Sequence, residues 1–321
     1  MDVPVPRRPC NMMDQSPLMA LMRDPTDDLL SFLLGAYQLR AGVMTTPSLC
    51  AAWQFGTSGM RQATFHYVAS GPCWLHTRHT PPLALDAGAL VMFPHDAWHL
   101  LAPKPELDGE DLRPTMEGDG PVTTLLCGYF EFLAGRFNPV IEALPDVIVV
   151  PAVDAGGNLG MVVRVLMDEA RTDGIGTSSV LNKLADTLFV MGVRHHLRHC
   201  DNPKGLLAGL ADPGLRRALN AIHRRANENW TLELLAREAG MSRTTFAQRF
   251  AEHVGSTPSE YLTRWRMTQA ELILRDPGMS VAHAATQVGY DDESAFRKAF
   301  KRVHGQAPGA LRRWFRSKLQ G

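Results

Sequence analysis

The chain has 321 residues and a formal net charge of zero, with 45% hydrophobic and 21% charged residues. That mixture fits a folded chain of about two domains and excludes a disordered one. No apolar run reaches the ~18 residues of a membrane-spanning helix. Asp2, Arg7, Arg8 and Asp14 break any secretory-signal pattern, and the five cysteines are irregularly spaced, so a reducing, cytoplasmic setting is expected and no disulfide framework.

In chain order, residues 1–25 are rich in Pro and Met and read as a poorly ordered leader. Residues 28–41 carry helical spacing at Leu29, Phe32, Leu33 and Ala36. Between 48 and 150, short apolar or alternating runs (AAWQF, ATFHYVA, CWLHTR, ALVMF, TTLLCGYFEF, VIVV) are punctuated by Gly and Pro, which predicts a small β barrel or sandwich. Residues 104–121 read as a loop, 158–171 and 178–198 as helices, and 200–213 as a short linker. Everything after the linker reads helical. The predicted class is therefore α+β, a β domain followed by an all-α one.

The last third holds an internal repeat. TLELLAREAGMSRTTFAQRFAEHVGSTP from Thr231 parallels SVAHAATQVGYDDESAFRKAFKRVHGQAP from Ser280. Ala236 and Gly240 match Ala285 and Gly289; Phe246, Phe250, Gly255 and Pro258 match Phe296, Phe300, Gly305 and Pro308. Each copy predicts helix–turn–helix. Thr231, Ser242 and Ser280 are N-caps, Gly240 suits a left-handed helix end, and the phenylalanines point inward. Residues 213–321 hold 18 Lys and Arg against 10 Asp and Glu, net +8, while residues 1–212 hold 15 against 23, net −8. A basic repeat of this kind fits a polyanion partner, and the outward residues of each second helix can reach base edges in a DNA major groove. The helix expected at 259–274 separates the two readers.

Residues 213–317 resemble the DNA-binding domain of the AraC/XylS family of bacterial transcription regulators, most fully along VGYDDESAFRKAFKRVHGQAPGALRR. The resemblance implies a sequence-specific regulator bound to an operator, with RNA polymerase as a further partner. The outward residues of the second helices are Arg243, Thr244, Thr245, Ala247 and Gln248, and Glu293, Ser294, Arg297, Lys298 and Lys301; the resemblance implies base-reading positions on Thr244, Ala247 and Gln248 and on Glu293, Ser294, Ala295 and Lys298. The two alanines offer only a methyl, so the operator sequence does not transfer from relatives.

GALVMFPHDAWH (88–99) resembles the second cupin motif through Gly88, Pro94 and His99, with Asp96 where a Gly is usual. The first motif is degraded: His76 and His79 are present without a His-x-His pair or a Glu. A cupin fold is thus expected without a cupin metalloenzyme, so the chain reads as a non-enzyme. HYVASGPCWL, FPHDAWHLL and LLCGYFEF resemble the branch of regulators that respond to reactive chlorine and related oxidants. That resemblance puts the redox-sensing thiols at Cys50 and Cys127. Three readings of these cysteines stand: oxidant sensors, zinc ligands together with His66 and His99, or inert buried residues. A barrel that binds an organic effector, with Trp53, Trp74 and Trp98 as lining, is the rival signal.

Leu181, Leu184, Leu188 and Met191 make a seam that suits either a homodimer contact or a cover over the barrel. His195 and His199 lie four apart on the same helix, a spacing open to metal binding. The expected organisation is a leader (1–25), a cupin-like sensor (26–155), a helical dimerisation region (156–204) and a double helix-turn-helix domain (205–321).

Overall fold

A computed structural model describes residues 28–36, 39–50, 53–107, 121–132, 137–155, 157–172 and 174–319. The expected leader, Cys10 and most of the expected 104–121 loop lie outside the described residues. The chain divides into two compact units, one of residues 33–199 and one of residues from 200 onward with those up to Phe32.

The chain opens on α1 (Leu29–Ala36) and β1 (Leu39–Thr45). The sequence predicts one helix over 28–41, but the helix ends at Ala36. Leu39, Arg40 and Ala41 instead pair with Phe132, Glu131 and Phe130 in an antiparallel ladder. Tertiary pairing overrides the local period there. The strands that follow are β2 (Ser48–Leu49), β3 (Ala63–Ser70), β4 (Cys73–Thr77), β5 (Leu83–Leu85), β6 (Leu90–Phe93), β7 (His99–Ala102) and β8 (Thr123–Phe132). Then come α2 (Pro139–Glu142), β9 (Ile148–Val150), α3 (Ala152–Ala155), α4 (Asn158–Glu169) and α5 (Thr177–His199). Two antiparallel sheets result, ordered β1-β8-β3-β6-β9, with β2 also on β8, and β5-β4-β7.

The core between the sheets draws Val68, Val91, Phe93, Leu125 and Cys127 from the first and Cys73, Leu75, Leu85 and Leu101 from the second. Strand alternation gives the first sheet a second apolar face. Phe65 stacks on Phe130 at 4.8 Å, and Phe130 meets Phe189 of α5 at 5.0 Å. This is why β3 is buried on both faces and His66 is fixed inward. α5 comes so close that a Cβ on Gly192 would collide with the Met92 side chain. Of the Leu181–Met191 seam, Leu188 is fully buried and Leu181, Leu184 and Met191 are half-buried.

The second unit is helical: α6 (Gly205–Ala211), α7 (Pro213–Arg224), α8 (Leu232–Ala239), α9 (Arg243–Val254), α10 (Pro258–Arg275), α11 (Val281–Gln287), α12 (Glu293–His304) and α13 (Pro308–Leu319). The caps form at the expected residues. Thr231 accepts from Leu234 N–H, Ser242 from Thr245 N–H and Ser280 from His283 N–H. Gly240 ends α8 with φ 67°, a left-handed value that costs glycine little. Arg217 on α7 donates to the carbonyls of Glu238 and Ala239, which are orphans of that helix end. Phe296 and Phe300 of α12 bury against Met267, Ala270 and Leu274 of α10. No helix among the described residues is long and apolar enough to cross a membrane.

Candidate functional site

The interior of the cupin-like unit holds a chain of polar side chains in an otherwise apolar core. His66 comes from β3, His99 from the start of β7, Cys127 from β8 and Thr57 from the segment before β3; all four are buried. The register sets His66 directly opposite Cys127. His99 Nδ1–H donates to the Ala97 carbonyl at 2.8 Å, so its Nε2 carries a lone pair. His66 Nε2–H then donates to His99 Nε2 at 3.0 Å, which leaves His66 Nδ1 to accept from the Cys127 thiol at 3.0 Å. Thr57 Oγ1 lies 3.2 Å from Nε2 of each imidazole and donates to Thr64 Oγ1 at 3.0 Å. Phe93 stacks on His99 with ring centroids 3.5 Å apart, and Phe55 meets His66 edge-on at 5.6 Å.

Burial sets the charge state of this chain. It pushes the Cys127 thiol far up, helped by the nearby Cys73 thiol, and it raises Cys73 to about 12. Desolvation, then His99, holds His66 well below the usual imidazole range, and desolvation lowers His99 against the pull of Ala97 and Asp96. At rest the relay is neutral throughout, with its proton on sulfur.

Of the four residues read as a zinc set, the structure brings together His66, His99 and Cys127, with His66 in the middle of a line. Its two ring nitrogens face different partners, so the three donors do not converge on one point. Cys50 is half-buried and not in a disulfide. It follows Leu49, which pairs with Thr123, four residues along β8 from Cys127. At ~3.3 Å per residue that is about 13 Å, well beyond the Cα separation a disulfide spans. Trp53 is buried in the core, whereas Trp74 and Trp98 are half-buried. His76 Nε2–H donates to the Lys104 carbonyl, 3.3 Å away, and His79 is exposed.

Sequence reading misses Thr57 and the role of Asp96. Thr57 sits in GTSGMR, a segment without period. Asp96 has a signal, its departure from the motif glycine. Its φ is 55° and that of Arg61 is 59°, the two positive-φ non-glycine residues among those described. Aspartate tolerates this region better than most side chains. Its carboxylate accepts from Gly59 N–H at 2.9 Å and Arg61 N–H at 2.6 Å, and so pins the segment that carries Thr57 over the histidines.

In the helical unit, Arg243, Thr244, Thr245, Gln248, Ser294, Ala295, Arg297 and Lys298 are exposed on α9 and α12, while Ala247 and Glu293 are half-buried. Acidic neighbours, which the sequence reading did not anticipate, occupy several of them. Arg243 pairs with Glu233 at 3.0 Å, Gln248 donates to Glu252 at 2.8 Å, and Arg297 pairs with Glu293 at 2.5 Å. The Thr245 hydroxyl lies 2.8 Å from that of Ser242 in the cap. α10 joins the two motifs with 18 residues, roughly 27 Å at ~1.5 Å per residue.

Comparison with known proteins places these two units. Residues 28–198 match the family described as Cupin, and residues 235–313 match the Helix-turn-helix domain family. An AraC-like transcription regulator of Streptomyces lividans is 32% identical over 90% of this chain and 98% of its own length. The RCS-specific HTH-type transcriptional activator RclR of Escherichia coli K12 is 27% identical over 89% of this chain and 97% of its own. The crystal structure of the DNA-binding domain of AdpA, in complex with a target DNA, is 34% identical and covers 34% of this chain and 99% of its own, with a TM-score of 0.32. With a cupin unit that spans half its length and a relative of this identity along nearly all of it, the chain belongs to the AraC-like family of DNA-binding transcription regulators.

Proposed function

We propose that this regulator reads an operator through α9 and α12 and that its cupin unit reports an oxidant through Cys127, with Cys50 as a second thiol. The contact that carries the reading is Cys127 S–H to His66 Nδ1 at 3.0 Å, continued to His99. An imidazole with a free lone pair takes up the thiol proton when the thiolate forms. Hypochlorous acid then oxidises the sulfur: Cys–SH and HOCl give Cys–SOH and HCl, with chlorine reduced to chloride. The similarity to an RCS-specific activator supports the same class of signal. Burial keeps the thiol protonated at rest, so the response requires the pinned 56–61 segment to open and admit water. A disulfide with Cys50 further requires β2 to leave β8; loss of water from Cys–SOH and Cys–SH forms it.

The regulator acts as a homodimer in contact with RNA polymerase in this reading, and without enzymatic activity. The apolar face left for a second copy is on α4, where Met161 and Val165 are 50% and 52% exposed. Zinc on the Cys50, His66, His99 and Cys127 set is the second reading of the same residues. It needs His66 to turn away from one of its partners and β2 to leave β8, so that Cys50 reaches the other three.

The test is hypochlorous acid on the full chain bound to its own promoter region. Oxidant should change affinity or footprint, thiol reductant should restore it, and Cys127→Ser should abolish the change more completely than Cys73→Ser. A Cys50→Ser, Cys127→Ser double variant that responds like wild type overturns the redox reading.

A further inference from the structure

Among the described residues, one group of side chains outside the barrel has metal-ligand geometry. Asp154 on α3 and His195 and His199 in the last two turns of α5 each offer a ligand atom, and all three atoms lie within 4.8 Å of one another. The four-residue spacing puts both imidazoles on one helix face, with ring centroids 4.2 Å apart. His199 Nδ1–H donates to the His195 carbonyl at 2.9 Å. That bond orients the ring and leaves the Nε2 lone pair outward, the arrangement in which metal-bound histidines are held by a backbone carbonyl. The C-terminal end of the α5 dipole adds a negative potential that favours a cation.

We propose that Asp154, His195 and His199 form a zinc site, with water as the fourth ligand. Two imidazole nitrogens and one carboxylate oxygen match the ligand set of a borderline divalent cation, and three protein ligands with one open position match a tetrahedral zinc site with a bound water. The ion would tie α3 to the end of α5. All three ligands belong to the compact unit of residues 33–199, which ends at His199. The site is independent of the oxidant reading, since none of its ligands belongs to the barrel interior.

The experiment is calorimetric titration of zinc into the full chain after removal of metal by a chelator. One equivalent should bind at micromolar Kd or tighter and raise the Tm. The His195→Ala, His199→Ala double variant should lose that equivalent, and Asp154→Asn, which keeps size and shape, should bind roughly 10–100-fold more weakly. Cys127→Ser should retain it. Cobalt bound in place of zinc should show d–d absorption without a thiolate charge-transfer band. Zinc binding that survives the double variant, or is lost in Cys127→Ser, or a thiolate band with cobalt, overturns the site. So does wild-type affinity in Asp154→Asn or the absence of micromolar binding.

Discussion

The two units expose their working groups in opposite ways. In the cupin unit, Cys127, His66, His99 and Thr57 are sealed in an apolar interior, neutral, and bonded to one another, to the Thr64 hydroxyl and to backbone. In the helical unit, the outward side chains of α9 and α12 stand in water, and several are already paired with acidic neighbours. The first arrangement makes a group that is silent until something opens it. The second makes a surface that is always available and whose electrostatics are trimmed from within: a carboxylate beside an arginine lowers its attraction for phosphate until DNA displaces it. Changes at the buried polar groups of the first unit should therefore act on stability and signal, and changes on the exposed faces of α9 and α12 on affinity.

The largest expected effect breaks the surface by removing its support. Phe300→Ala leaves a cavity under α12 and should cost about 3–5 kcal/mol by chemical denaturation of the full chain, with loss of operator binding. Thr57→Val should cost about 1–3 kcal/mol, because His66, His99 and Thr64 keep their buried polar atoms and lose a shared partner. The readout is urea unfolding; DNA affinity should stay at the wild-type value. Lys298→Ala should weaken specific binding by about 1–3 kcal/mol in a gel shift at physiological salt. Gln248→Ala should cost less, since in the free protein Gln248 must first leave Glu252.

Buried histidines of both units respond to pH in the same direction. His66, His99 and the buried His223, the last lowered to about 3, all have folded pKa values below the unfolded ~6.5. The unfolded chain therefore takes up more protons than the folded one below that pH. Stability is complete above ~6.5 and falls as pH drops, by about 1.4 kcal/mol per pH unit for each such histidine. Urea unfolding at a series of pH values measures it, and a His223→Phe variant should remove one proton from the slope. The smallest effect is expected at Glu233→Gln. It frees Arg243 on the exposed face, leaves stability unchanged, and raises non-specific DNA affinity in low salt.

The caps, the Gly240 turn and the inward phenylalanines were all legible in the sequence because each depends on residues within a turn or two of itself. The cupin strands were legible from their alternation and turn glycines. The polar chain was legible only as separate residues. Cys127 meets His66 across 61 positions because β3 and β8 pair in one particular register, and no periodicity encodes a register between distant strands. Thr57 and Asp154 lie in segments too short to carry a period. The break of the first helix at Ala36 has the same origin, a partner strand about 90 positions away. Asp96 is the instructive middle case: its departure from the motif was visible, but its meaning needed the positive φ and the two backbone amides it holds.

One basic, duplicated unit is expected to read DNA with two helices at once. A hydroxyl-radical footprint of the full chain on its own promoter region, taken across a salt series, tests it most directly. Two protected segments should appear about one helical turn apart, ~10 base pairs centre to centre. Affinity should fall steeply as salt rises, and Lys298→Ala should weaken protection of one segment more than the other. A single short protected segment, or binding that ignores salt, would contradict the account.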